Sequence, residues 1–122
     1  MKLCLALIAL CFSTVASADC KQMQNLRLEM NLTASNIANV NTTRTPQGGA
    51  YKMKELVNSE IVERKQYIEK YNPDHIDAKE YGYVTYPDID LYREMSKMLE
   101  LTREYEKIYS PKCPSTYLIS IL

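Results

Sequence analysis

Tryptophan is absent from the 122 residues, histidine and phenylalanine occur once each, and glycine occurs three times. One His cannot build a multi-histidine metal centre. Three glycines argue against a glycine-rich phosphate loop. An excess of either charge is missing too, because 15 Lys+Arg balance 15 Asp+Glu. Nothing here provides a basic field for nucleic acid or an anionic membrane, or an acidic tail. The length sets a limit of one domain. What the chain does hold is tyrosine, ten of them. Tyr combines contact area with a polar tip, which suits half-exposed surfaces and subunit contacts.

The first eighteen residues read as an export signal rather than as part of the fold. Lys2 is the positive start, Leu3 to Phe12 is a continuous apolar run, and Ala16-Ser17-Ala18 gives a small-x-small cleavage pattern before Asp19. The run is too short for a comfortable membrane span. An uncleaved anchor and acylation of Cys20 are the alternatives, although Asp19 is not the small residue that acylation normally wants. Cleavage removes Cys4 and Cys11 and leaves Cys20 and Cys113. In an oxidising exported compartment this pair favours a disulfide over a metal site. Two free thiols are the other reading.

Residues 19–122 then form a single domain. Met23, Leu26, Met30, Thr33, Ile37 and Val40 step alternately by three and four, a coiled-coil-like seam that predicts a helix over about 21–40. Asn39, Asn41 and Thr42-Thr43 stop it, since their side chains compete for backbone hydrogen bonds. Thr45-Pro46-Gln47-Gly48-Gly49 is a loop signal. Residues 41–88 read as a loop and β insertion, with short strands Tyr51–Val57 and Glu60–Tyr71 joined near Asn58-Ser59. A helix is the alternative there, given the many Glu, Lys and Arg. Asn72-Pro73-Asp74 is a turn, and Tyr81–Tyr86 a further extended piece. Asp88 or Asp90 caps a second helix over about 90–110, with the seam Leu91, Met95, Met98, Thr102, Tyr105 and Tyr109. Pro111 and Pro114 end it. Residues 111–122 are a tail, apolar from Tyr117 and too short to span a membrane. The expected fold is mainly α: an antiparallel hairpin of the two terminal helices, with a short β-hairpin or loop insertion between them. That geometry sets Cys20 beside Cys113.

Two blocks carry a family resemblance. Ser35-Asn36-Ile37-Ala38-Asn39-Val40-Asn41-Thr42, continued by Thr43-Arg44-Thr45-Pro46 and by Gly48-Gly49 and Tyr51, resembles the signature of flagellar basal-body rod proteins. The second half is similar in particular to the FlgC family of the proximal rod. Tyr71-Asn72-Pro73-Asp74-His75, Asp77-Ala78, Gly82-Tyr83-Val84 and Tyr86-Pro87 resemble that family's loop before its C-terminal helix. Glu94-Met95, Arg103 and Tyr105-Glu106 resemble the helix. The resemblance covers about 23–110 and implies a divergent FlgC-like member carrying a Sec-type signal peptide.

The resemblance implies a structural, non-enzymatic subunit of the rod, the drive shaft of the motility organelle, assembling by packing its terminal helices. It implies location in the periplasm at the flagellar basal body, with itself and other rod subunits as partners. No cofactor, metal, nucleic acid or small-molecule substrate is expected, and no membrane span after signal cleavage. Candidate subunit-interface residues are Asn36, Ile37, Asn39, Asn41, Thr42, Arg44, Tyr51, Tyr83, Tyr86, Met95 and Tyr105. Arg44 stands out because its planar five-donor head on a loop suits a neighbour's carboxylate or carbonyls. The chain departs from the family pattern in its export signal, its charged middle segment, Pro111 and Pro114, and the cysteine pair. These departures support an alternative: a secreted, disulfide-locked rod-like paralogue acting as a soluble periplasmic or envelope binding protein. Asp74, His75 and Asp77 lack further ligands and read as solvated loop residues. Ser115 and Ser120 have no partnering base, and no catalytic residue is nominated.

Overall fold

Two helices lie antiparallel, and the chain between them folds into two small β-hairpins. A computed structural model of the protein describes residues 2–113, with side chains from Cys20 onward. The tail expected over 111–122 therefore lies outside the described residues from position 114. The apolar run read as an export signal is seen only as the backbone of the first helix.

Helix α1 spans Lys2–Ala38 and α2 spans Leu91–Ile108. Their direction follows from cross-contacts. Glu94 meets Asn36, Lys97 meets Glu29 at 3.0 Å, and Tyr105 meets Arg27 at 2.6 Å. On α1 the buried positions are the seam residues Met23, Leu26 and Thr33 together with Leu32 and Asn36, which lie off the seam, while Met30, Ile37 and Val40 of the seam are only half-buried. Asn39 closes the helix end, its side-chain nitrogen donating to the Ser35 carbonyl at 2.8 Å. Asp90 caps α2, accepting from the Arg93 amide at 3.2 Å.

Strands β1 (Met53–Val57) and β2 (Glu60–Arg64) pair antiparallel with Val57 opposite Glu60, so the turn is only Asn58-Ser59. Both turn residues have positive φ, 51° and 64°. This is the type I′ geometry whose twist matches the strands, and Asn tolerates it well. The tip is held back on α1, where Asn25 donates to Ser59 Oγ at 3.2 Å. Strands β3 (Tyr67–Tyr71) and β4 (Tyr83–Pro87) form a separate antiparallel pair, Tyr71 opposite Tyr83. Gly82, at the close of their connecting loop, has φ 82°, and a Cβ there would stand 2.8 Å from the Tyr71 ring.

The expectation of a mainly α fold is overturned. The described residues form a mixed α/β fold, with two helices and two small antiparallel sheets among them. The expected strand Glu60–Tyr71 is broken at Lys65-Gln66, where the Gln66 carbonyl instead accepts from the Asp88 amide at 3.0 Å. That break frees β3 to pair with β4, whose sequence had suggested only an extended piece. The coiled-coil reading is not supported either. The α2 side turned to α1 carries Glu94, Leu101 and Tyr105, while Leu91, Met95 and Tyr109 of the expected seam are exposed.

Cys20 and Cys113 form a disulfide, with Cα atoms 5.3 Å apart across a sequence separation of 93. Both sulfurs are consumed in the bridge, so neither thiol is free, nor Cys20 available for a thioether. A loop of this length restricts the unfolded chain strongly. Breaking the bridge by reduction or by Cys113→Ser is expected to remove about 4 kcal/mol of stability. Urea unfolding with and without reductant measures this, and coincident midpoints would contradict it.

Candidate functional site

Asn36 lies in the last turn of α1, two residues before its end, and is 1% exposed. A buried primary amide has two donor hydrogens and an oxygen with two lone pairs. Asn36 uses all four. Nδ2 donates to the Lys54 carbonyl at 2.9 Å and to Glu94 Oε2 at 3.1 Å. Oδ1 accepts from the Lys54 amide at 2.9 Å and from the Tyr51 hydroxyl at 3.1 Å. Lys54 thus turns both backbone groups away from β2 and onto one side chain, which replaces the peptide group of a missing third strand. One residue ties α1, β1, α2 and the loop before β1 together.

The network extends by one further step. With Tyr51 donating to Asn36, the Ser35 hydroxyl at 2.9 Å donates to the Tyr51 oxygen. Burial is the main cause that pushes the Tyr51 hydroxyl above its ordinary value of 10.0, with Glu63 and Glu94 adding to it. The phenol therefore stays protonated and remains a donor. Glu94 is 3% exposed and receives the Asn36 hydrogen. Sequence reasoning assigned Glu94 and Ser35 no role. The spacing Ser35, Asn36 and Tyr51 in one motif block, with Glu94 in the other, was the available signal.

A second cluster lies at the loops. Thr45 to Gly49 closes tightly, with Thr45 N donating to the Gly49 carbonyl at 2.9 Å. Gly48 and Gly49 both take positive φ, 91° and 72°, which glycine adopts without a Cβ penalty. This turn presents Thr43 and Arg44 to Asp77 in the β3–β4 loop. Thr43 Oγ1 donates to Asp77 at 2.7 Å, and Arg44 donates to its other oxygen. The Asp77 amide in turn donates to His75 Nδ1 at 3.0 Å. Asp77, read from the sequence as a solvated loop residue, is the clasp between the two motif blocks.

The other candidate residues divide by exposure. Asn39 and Thr42 bond each other at 3.0 Å, and Ile37 is half-buried. Tyr105 accepts from Arg27, whose guanidinium also stands 5.2 Å from its ring. Tyr86 packs beside His75, with Lys70 Nζ 5.1 Å from its ring. Asn41, Arg44, Tyr83 and Met95 are exposed. Arg44, 67% exposed, sits on the rim shared by two grooves of about 490 and 370 Å³, the larger also lined by Lys52, Lys54 and Glu63. The structure brings Asn36 and Tyr51 together in one network and leaves Tyr83 and Met95 apart from it. Among the described residues there is no group of three His, Cys, Asp or Glu placed to hold a metal ion. Nor is any helix among them long and apolar enough to cross a membrane.

The chain is 28% identical, over 113 aligned residues, to the flagellar basal-body rod protein FlgC of Borreliella burgdorferi; the match takes in 66% of this chain and 74% of the relative. No family model matches. The relationship to a flagellar rod protein is distant.

The hydrogen bond from Thr43, and with it the Arg44 guanidinium, holds the Asp77 carboxyl below its ordinary value of 3.8. A depressed folded value means the clasp contributes in full above 3.8 and is lost as pH falls through the lower folded value. In a carboxyl-carbon NMR titration from pH 6 to 2, Asp77 is expected to titrate below 3.8, and Asp77→Asn should abolish the acid-dependent shifts at Thr43 and Arg44. A midpoint at or above the ordinary value would contradict the clasp.

Proposed function

We propose that this protein is a structural subunit of the flagellar basal-body rod, exported on residues 1–18 and acting in the periplasm without catalysis. One observation carries the reading. The residues of the two sequence blocks that resemble the FlgC family meet in space, Thr43 and Arg44 on Asp77, and Asn36 and Tyr51 with Glu94. Blocks separated in sequence serve one shape, and the distant similarity to a FlgC protein points the same way.

In this reading the candidate interface residues have two tasks. Asn36, Ile37, Asn39, Thr42, Tyr51, Tyr86 and Tyr105 hold the shape of the subunit from within. Asn41, Arg44, Tyr83 and Met95 are exposed and meet neighbouring subunits. A head-to-tail contact that does not close under rotation generates a helical filament, the geometry a rod requires. Arg44 lines both grooves, and the N–H groups it does not direct to Asp77 donate to a carboxylate or a row of carbonyls of the next copy.

The disulfide favours a second reading. A bridge that locks the open end of the helix pair suits a secreted, monomeric rod-like paralogue binding some other envelope component. Mass spectrometry of purified basal bodies separates the two. The rod reading expects the chain in stoichiometric amounts and loss of motility on deletion. Its absence from basal bodies, with normal motility after deletion, would sink that reading and leave the second.

A further inference from the structure

Each of the four strands has a single neighbour, so each has an outer edge. Two of these edges are already used. On β1 the outward N–H and C=O of Lys54 are held by Asn36. On β4 the Tyr83 carbonyl accepts from the Lys79 amide at 2.8 Å and the Pro87 carbonyl from the Ile89 amide at 3.0 Å. Pro87 has no N–H to offer. The edges of β2 and β3 are open. Counted from the two-residue turn, Val57, Glu55 and Met53 bond to Glu60, Val62 and Arg64, which turns the backbone groups of Ile61 and Glu63 away from β1. In the other hairpin the Asp88 amide donates to the Gln66 carbonyl and the Asn72 amide to the Gly82 carbonyl. Alternation from those two ends turns Tyr67, Glu69 and Tyr71 outward. No backbone hydrogen bond among the described residues reaches these outward groups, and all five residues are exposed.

An open edge is a template for another strand. The two open edges fit each other. Antiparallel pairing sets outward residues opposite outward residues, so the registers available to β2 against β3 differ by steps of two. With Ile61 opposite Tyr71, Glu63 meets Glu69, and like charges directly opposed are unfavourable. With Glu63 opposite Tyr71, Arg64 meets Lys70, which is no better. With Ile61 opposite Glu69, Glu63 meets Tyr67, Val62 meets Ile68 and Glu60 meets Lys70. This register joins an apolar pair and an unlike-charge pair and opposes no like charges. Val62 and Ile68 are the half-buried residues of their strands, so the inward faces of both hairpins come to one side of the joined sheet. Glu60 and Lys70 form no ion pair among the described residues. Within one chain Gln66 is bonded to Asp88, and β2 does not pair with β3. The edges are therefore matched between copies.

We propose that β2 of one copy pairs antiparallel with β3 of the next, Val62 opposite Ile68 and Glu60 opposite Lys70, in a four-stranded sheet shared across the subunit boundary. Two strands alone are marginal, and four are not. The contact is head-to-tail, so every terminal copy keeps one open edge and the assembly can extend. In taking copies of this chain as neighbours, it rests on the rod reading. Sedimentation of the oxidised full chain tests it, with charges reversed at the paired positions. The mass of the unaltered chain is expected to rise with concentration. Glu60→Lys and Lys70→Glu each set like charges opposite one another and should weaken association about fivefold or more. An equimolar mixture of the two variants should restore it, because every contact in the mixture regains an unlike pair. Both changes in one chain should restore it too. In the associated protein the amides of Ile61, Glu63, Tyr67 and Glu69 should exchange about tenfold more slowly than in the monomer. A chain monomeric at every concentration, association that either single variant leaves intact, a mixture that fails to restore it, or unprotected edge amides would overturn the shared sheet. The rod reading is judged apart from it, by the presence of the chain in basal bodies.

Discussion

The fold depends on one side chain, the Asn36 amide, satisfied at all four of its hydrogen-bonding positions. A polar group withdrawn from water is costly unless it is paired, and a fully paired one fixes the geometry of everything around it. Here the partners come from β1, α2 and the loop leading into β1. Each would have a buried donor or acceptor to satisfy without Asn36. The amide therefore sets where β1 runs along α1, and how far α2 can slide past it. Met23, Leu26 and Leu101 supply apolar burial, but such contacts are non-directional and would tolerate several registers. The amide selects one.

Around this centre the molecule is held at both ends of the helix pair. At the closed end, Thr43, Arg44 and Asp77 clasp the loop after α1 to the loop between β3 and β4. At the open end the disulfide joins α1 to the chain beyond α2. The two devices respond to different conditions. The clasp is lost in acid, since it depends on an ionised carboxylate, and the bridge is lost under reduction. Between them the β1–β2 hairpin lies along α1, tied at its tip by Asn25 and Ser59. A two-stranded hairpin is marginal alone, which is why both its ends need attachment to the helix.

Much of this was legible in the residues. A helix over α1 beyond Lys21, the turn at Asn58-Ser59, the second of the two candidate caps, Asp90 rather than Asp88, and the pairing of Cys20 with Cys113 follow from periodicity, turn chemistry and the place of the cysteines at the ends of the helix pair. The fold class did not. Charged residues between Lys52 and Lys70 obscure strand alternation, because β2 and β3 are largely exposed and have little apolar face to display, whereas the buried strand residues Val84 and Pro87 lie on β4. The face of α2 was misread for a related reason. Leu91 and Met95 look like core at helical spacing, yet the side turned inward carries Glu94, and a buried carboxylate gives no hydropathy signal. Asp77 was unreadable as a clasp because its partners lie more than thirty residues away. Only the recurrence of two family-like blocks hinted that they meet.

The Asn36 account is tested most directly by native-state hydrogen exchange at the Lys54 amide. That N–H faces away from β2 and has Asn36 Oδ1 as its acceptor. If the side chain replaces a missing strand, Lys54 exchanges as slowly as the core amides of α1, and opens only with them. Exchange at the rate of an exposed strand edge, with α1 still protected, would show that the amide does not hold β1 in place.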